Sequence, residues 1–146
     1  MIGVASDHAG FELKQQVMQW LAQHGYEYKD FGTYTAESCD YPDYAHPLAY
    51  AVERGECERG IAICGTGIGM SICANKVNGI RAALCENCFS AELTRRHNDA
   101  NVLCMGARTI GSGLALKITE TFLTTDFEGG RHARRVAMIT EVEKKN

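Results

Sequence analysis

Gly60-Ile61-Ala62-Ile63-Cys64-Gly65-Thr66-Gly67-Ile68-Gly69 is the stretch that decides the fold. A short apolar run ends on a cysteine, passes through alternating glycines and enters a helical pattern over residues 68–76. That is a strand, a tight turn and a helix, the leading part of a βαβ unit. Glycines let the backbone approach a ligand closely and turn its N–H groups toward it. The start of a helix adds partial positive charge. Such a turn can hold a phosphate, a developing oxyanion or a thiolate. It can equally be a tight strand–helix connection beside a buried cysteine.

Working outward, the same alternation covers the chain. Strands are expected at 2–6, 26–31, 60–64, 80–85 and 101–105. Helices are expected at 11–24, 44–54, 68–76, 88–96, 113–124 and 131–145. Segment 33–42 reads as a loop that can lie near a ligand. The pattern predicts one domain over 1–146, an α/β chain with a five-stranded parallel sheet and helices on both faces. The expected architecture is three-layer and Rossmann-like (flavodoxin-like), with strand order 2-1-3-4-5. In that order the switch point lies between strands one and three, where sites form beyond the carboxyl ends. Asp7 and His8 follow strand one and Cys64 ends strand three, so topology alone brings these three together.

Composition narrows the classes. The 146 residues carry a net charge of -3, which argues against a nucleic-acid binder held by general electrostatics. No apolar run is long enough to span a bilayer, and the expected location is the cytoplasm. Seven cysteines, an odd number without repeated spacing, read as free thiols in a reducing compartment. Cys85 and Cys88 form a C-x-x-C, but a zinc site would want a second pair or histidines in knuckle spacing. No metal is expected.

Three further segments carry candidates. Glu128-Gly129-Gly130-Arg131-His132-Ala133-Arg134-Arg135 opens the last helix with basic residues, against the preference of the macrodipole. A phosphate dianion held by Arg131 and Arg135, four apart on one face, would compensate; surface acids would also do so. Arg95-Arg96-His97-Asn98-Asp99 closes the fourth helix, where cations suit the helix end, and His97 can serve there as a general acid/base. Arg108 follows strand five as another phosphate candidate. Tyr41 and Asp43 precede the second helix and can line the same mouth. His24 and His46 read as structural.

Taken together these residues resemble the ribose-5-phosphate isomerase B family and the related galactose-6-phosphate isomerase subunits. The matching pieces are Ser6-Asp7-His8-Ala9-Gly10-Phe11, Asp40-Tyr41-Pro42, and the run from Cys64 through Ser71 with Ala74-Asn75-Lys76. Arg96-His97-Asn98-Asp99-Ala100-Asn101 and Glu128-Gly129-Gly130-Arg131-His132 complete the set. The resemblance implies a cofactor-free aldose–ketose isomerase acting on ribose 5-phosphate and ribulose 5-phosphate through a cis-enediolate. Cys64 would be the base. Backbone N–H groups of Gly65, Gly67, Ile68 and Gly69, with Thr66, would hold the enediolate oxygen. His97, near Asp7, would open the furanose ring. His8, Arg108, Arg131 and Arg135 would grip the phosphate, and Tyr41 and Asn98 would complete the pocket. Family members are homodimers or homotetramers, and His97, Asn98 and Arg108 would reach in from the partner chain. One family branch places a glutamate base where Met70 stands, so the cysteine branch fits better. Met70 also stands where a C-x5-R phosphatase needs its arginine.

Alternatives with the same mechanism are allose-6-phosphate and galactose-6-phosphate isomerases, since one extra carbon is worth only about 1–3 kcal/mol of discrimination. A nucleotide- or flavin-binding module would leave the histidines and arginines without a task. A noncatalytic phosphate-ligand binding module is the remaining alternative.

Overall fold

Three segments of small and apolar residues are enclosed on both faces and make the centre of the sheet. They are β1 (Ile2–Ser6), β3 (Arg59–Cys64) and β5 (Val102–Gly106), buried at every position but Arg59. The computed structural model describes residues 1–146. The two remaining strands, β2 (Tyr28–Asp30) and β4 (Ala82–Leu84), are three residues each and only partly covered, as suits sheet edges.

All pairings are parallel, and the order is β2-β1-β3-β5-β4. This corrects the expected order in its last two places. Val102-Leu103-Cys104-Met105-Gly106 is buried along its length, so it belongs inside, paired with β3. Ala82-Ala83-Leu84 is half-buried and takes the edge. The free side of β4 is partly matched by Asn75, whose side chain accepts from the Ala82 N–H (2.8 Å) and donates to its C=O (3.0 Å).

Five helices connect or follow the strands: α1 (Phe11–Gln23), α2 (Pro42–Glu53), α3 (Ile68–Asn75), α4 (Cys88–Asn98) and α5 (Ser112–Thr124). A sixth, α6 (Arg131–Glu141), packs on α4 and ends in a 3₁₀ turn over Val142–Lys145. Helix 131–145 is thus shorter than its pattern suggests. Right-handed crossovers decide the layers. Connections running toward β2 or back from β4 put α1 and α4 on one face. Those running the other way put α2 and α3 on the opposite face.

Side-chain alternation follows the same division. Ile2, Val4, Ile61, Ile63, Leu103 and Met105 pack with α1, α4 and α5. Ala5, Ala62, Cys64, Val102 and Cys104 pack with α2 and α3. Because α3 leaves β3 on one face while α1 and α5 leave their strands on the other, a crevice opens above Cys64. No helix is long and apolar enough to cross a membrane.

Candidate active site

Cys64 is the last residue of β3 and is 5% exposed. The chain then turns through Gly67, at φ 79°, into α3. The turn points the Gly67 N–H back at Cys64 Sγ, 3.1 Å away. Thr66 Oγ1 accepts from the Ile68 N–H at 3.2 Å, which leaves its own hydroxyl proton free to donate. The turn is fixed from behind by β5, since Ala107 N–H donates to Cys64 C=O (2.8 Å) and Arg108 N–H to Gly65 C=O (2.9 Å).

Asp7, Tyr41, Cys64, Gly65, Thr66, Ile68, Gly69, Ile72 and Arg108 line one cleft of about 420 Å³. Asp7 Oδ1 accepts the Gly10 N–H at 3.0 Å, which holds the carboxylate at the mouth of the turn into α1. His8 Nδ1 accepts from the Cys39 N–H at 3.2 Å. That nitrogen must be unprotonated, so Nε2 carries the hydrogen and can donate to a phosphate oxygen. The Tyr41 ring lies against Gly69, where an added Cβ would come 2.8 Å from it. Asp43 stands instead in the first turn of α2.

The remaining sequence candidates do not reach this cleft within one chain. His97 and Asn98 end α4, just before β5 starts at Val102. Val102 pairs with Gly60 and Gly106 with Cys64, so α4 ends at the amino edge of the sheet. Four residue steps of strand, about 13 Å, lie between the two edges. Arg131 and Arg135 lie on α6, which packs beside α4, and belong to this second group. Arg108 goes the other way: it lines the cleft of its own chain. The expectation that it arrives from a partner is corrected on that point.

In the second group the His97 and His132 rings stack at 4.2 Å with 13° between their planes. Glu128 faces both, with 3.9 Å from one oxygen to His97 Nε2 and 3.9 Å from the other to His132 Nε2. Burial pushes the His132 pKa down, and the neighbouring His97 and Arg131 push it the same way. One ligand atom from each of the three residues lies within 4.8 Å of the others. Nearly parallel rings 4.2 Å apart keep their in-plane lone pairs in separate planes, however, so the arrangement does not converge on a metal.

A larger hollow of about 600 Å³ lies between β4, α4 and the C-terminal turn, bordered by Asn98, Arg81 and Glu143. Its lining includes no cysteine or histidine. All seven cysteines are free. Burial pushes Cys85 up to about 11, which makes that thiol a poor nucleophile, while Cys88 is half-buried against the same core.

Sequence reasoning missed three supports of the cleft. Cys39 orients His8 through its backbone, Ile72 adds an apolar wall, and Lys14 clamps the loop behind them. Lys14 reads as one of several polar positions on α1, and only its complete burial reveals it.

The sequence model of the Ribose/Galactose Isomerase family matches residues 2–139. Ribose-5-phosphate isomerase B of Escherichia coli is 48% identical over 144 residues, covering 99% of this chain and 97% of that one. D-erythrulose-4-phosphate isomerase of Pectobacterium atrosepticum is 45% identical over 139 residues, covering 94% and 91%. The structure of Clostridium thermocellum ribose-5-phosphate isomerase B superposes with a TM-score of 0.98 at 56% identity, covering 99% of this chain and 97% of that chain. With its cysteine, glycine turn and crevice in place, the chain belongs to the ribose/galactose isomerase family.

Proposed function

We propose that this chain interconverts ribose 5-phosphate and ribulose 5-phosphate, with Cys64 as the base and no metal or cofactor. The observation that carries the reading is the Cys64 thiol, enclosed at the strand end and met by the Gly67 N–H at 3.1 Å. A thiolate there faces a cleft large enough for a pentose phosphate. It removes the C2 proton of the open-chain aldose, and the C2–H electrons become the C1–C2 double bond. The charge moves to O1. Free N–H groups of the 65–69 turn and the Thr66 hydroxyl stabilise it, where an α-proton would otherwise be too weakly acidic. The thiol then returns the proton to C1, while the O2 proton passes to O1 and leaves a ketone at C2.

The cyclic substrate must first open. The C1–O4 bond breaks as the ring oxygen gains a proton and the anomeric hydroxyl loses one. His97 supplies this acid/base step, with Asp7 at the other side of the sugar. A distant phosphate grip orients the reacting end. His8 and Arg108 supply it from one chain, and Arg131 and Arg135 from another.

Since His97 cannot meet Cys64 within a protomer, the working site lies between two copies of the chain. Exposed Ile68 and Ile72 at the rim of the cleft give such a partner an apolar surface to cover. A homodimer is the smallest assembly that completes the site, and a homotetramer would be built from it. Seven free thiols suit a reducing compartment, which supports a cytoplasmic location.

The test is isomerase activity of the purified chain after chelation, with ribose 5-phosphate, allose 6-phosphate, galactose 6-phosphate and erythrulose 4-phosphate. Turnover of the pentose phosphate is the expected result. Preference for a hexose or tetrose phosphate would keep the mechanism and change the substrate. Binding without turnover of any would identify a phosphate-ligand binding module and end the isomerase reading.

A further inference from the structure

His97 has little to hold it. It sits in the last turn of α4, its side chain is 37% exposed, and no hydrogen bond fixes its ring. A general acid needs a defined ring plane and a free nitrogen aimed at the substrate. Both are provided by one short segment. Glu128 N–H donates to Arg96 C=O at 3.1 Å, which ties the segment to the end of α4. The first turn of α6 then slides the His132 ring, 10% exposed, under His97.

We propose that Glu128 and His132 are positioning residues for His97 in ring opening, an inference that rests on the isomerase reading above. The stacked His132 ring sets the plane of His97. Glu128 lies 3.9 Å from His97 Nε2, facing the ring edge but too far for a hydrogen bond. Nε2 therefore stays available to the sugar. Burial lowers the His132 pKa, and His97 and Arg131 lower it further, so at neutral pH His97 rests on a neutral ring face. These contacts also account for the Glu128-x-x-x-His132 spacing, which a phosphate grip by Arg131 and Arg135 leaves unused.

The test separates ring opening from proton transfer. The O5 atom of ribulose 5-phosphate carries the phosphate, so this ketose cannot close a furanose ring. Exchange of its C1 hydrogen with deuterated solvent needs Cys64 but no ring opening. Forward turnover of cyclic ribose 5-phosphate needs both. Glu128→Gln and His132→Ala are expected to lower forward kcat about tenfold or more, part of what an acid/base group contributes, while exchange stays within about twofold. His132→Phe, which keeps a flat ring, should recover much of the loss. His97→Asn sets the reference and should show the same split.

Equal loss in both assays, or unchanged forward turnover, would overturn the positioning role. Absence of the split in His97→Asn would overturn it together with the ring-opening assignment. Exchange by the unaltered chain would still uphold the isomerase chemistry in either case, and its absence would sink that reading separately.

Discussion

Gly67 shows how one residue joins fold and chemistry. Its φ is 79°, and an added Cβ would sit 2.5 Å from Leu84 Cδ1 and 2.8 Å from the Met105 carbonyl carbon. The turn therefore needs glycine for the close approach of β5 as well as for any ligand. Gly67→Ala should cost about 2 kcal/mol or more, from left-handed strain and overpacking together. It should also move the N–H away from Cys64 and cut kcat at least about tenfold. Urea unfolding and steady-state kinetics would measure both, and a stable, fully active variant would remove the N–H from the mechanism. Cys64→Ala should lower turnover by about a hundredfold or more, the contribution of a general base, while calorimetric titration still finds substrate binding. Near-normal turnover in that variant would make another group the base.

Among elements, α1 and the loop behind β2 are held by a pair that the mechanism does not touch. Lys14 Nζ is fully buried and lies 2.6 Å from Asp30 Oδ1. Asp30 also accepts the Gly32 N–H at 2.8 Å. Gly32 and Thr33 exchange backbone hydrogen bonds with Ser6, directly before Asp7 and His8. Lys14→Met should destabilise by about 2–3 kcal/mol, below the full cost of breaking a buried pair because Asp30 keeps some solvent. It should also raise KM through the loosened His8 and Tyr41 wall. A change under about 0.5 kcal/mol would place the worth of Lys14 in its aliphatic stem instead.

The junction of α4 and α6 has a pH signature. With its pKa lowered in the fold, His132 binds fewer protons there than in the unfolded chain. Its contribution to stability is therefore present above about pH 6.5 and is lost as the pH falls toward the lowered folded value. His132→Gln lacks this term. The Tm advantage of the unaltered chain over that variant should thus shrink between neutral pH and pH 5. A constant difference would show that His132 charges freely in the fold.

For the whole molecule, the separation of Cys64 from His97 makes a prediction about pairs of chains. Cys64→Ala and His97→Asn should each be strongly impaired alone. Folded together, half of the symmetric dimers are mixed and hold one intact site of two, so about a quarter of native activity should return. A mixture that stays as impaired would mean that the site is not shared in this way. The exposed apolar residues Met138 and Ile139 on α6, together with Ile68 and Ile72 on α3, give the two copies surfaces to bury.

The sequence by itself determined the local grammar: five strands, the glycine turn after β3, and the meeting of Asp7 and Cys64. These follow from patterns a few residues long and from the fixed hand of crossovers, both of which act locally. Family motifs named the chemistry. Tertiary structure alone decided that β5 lies inside and β4 at the edge. Two apolar strands can exchange places until the helices that cover each face are packed, and the run at 80–85 was too alike to the run at 101–105 to settle it. It also sent Arg108 to the Cys64 cleft and Arg131, Arg135, His97 and Asn98 to the opposite edge. Proximity across elements depends on where each helix ends against the sheet, which no spacing in the chain encodes. The stack of His132 on His97 arises in the same way, from residues 35 positions apart brought face to face by the packing of α6 on α4.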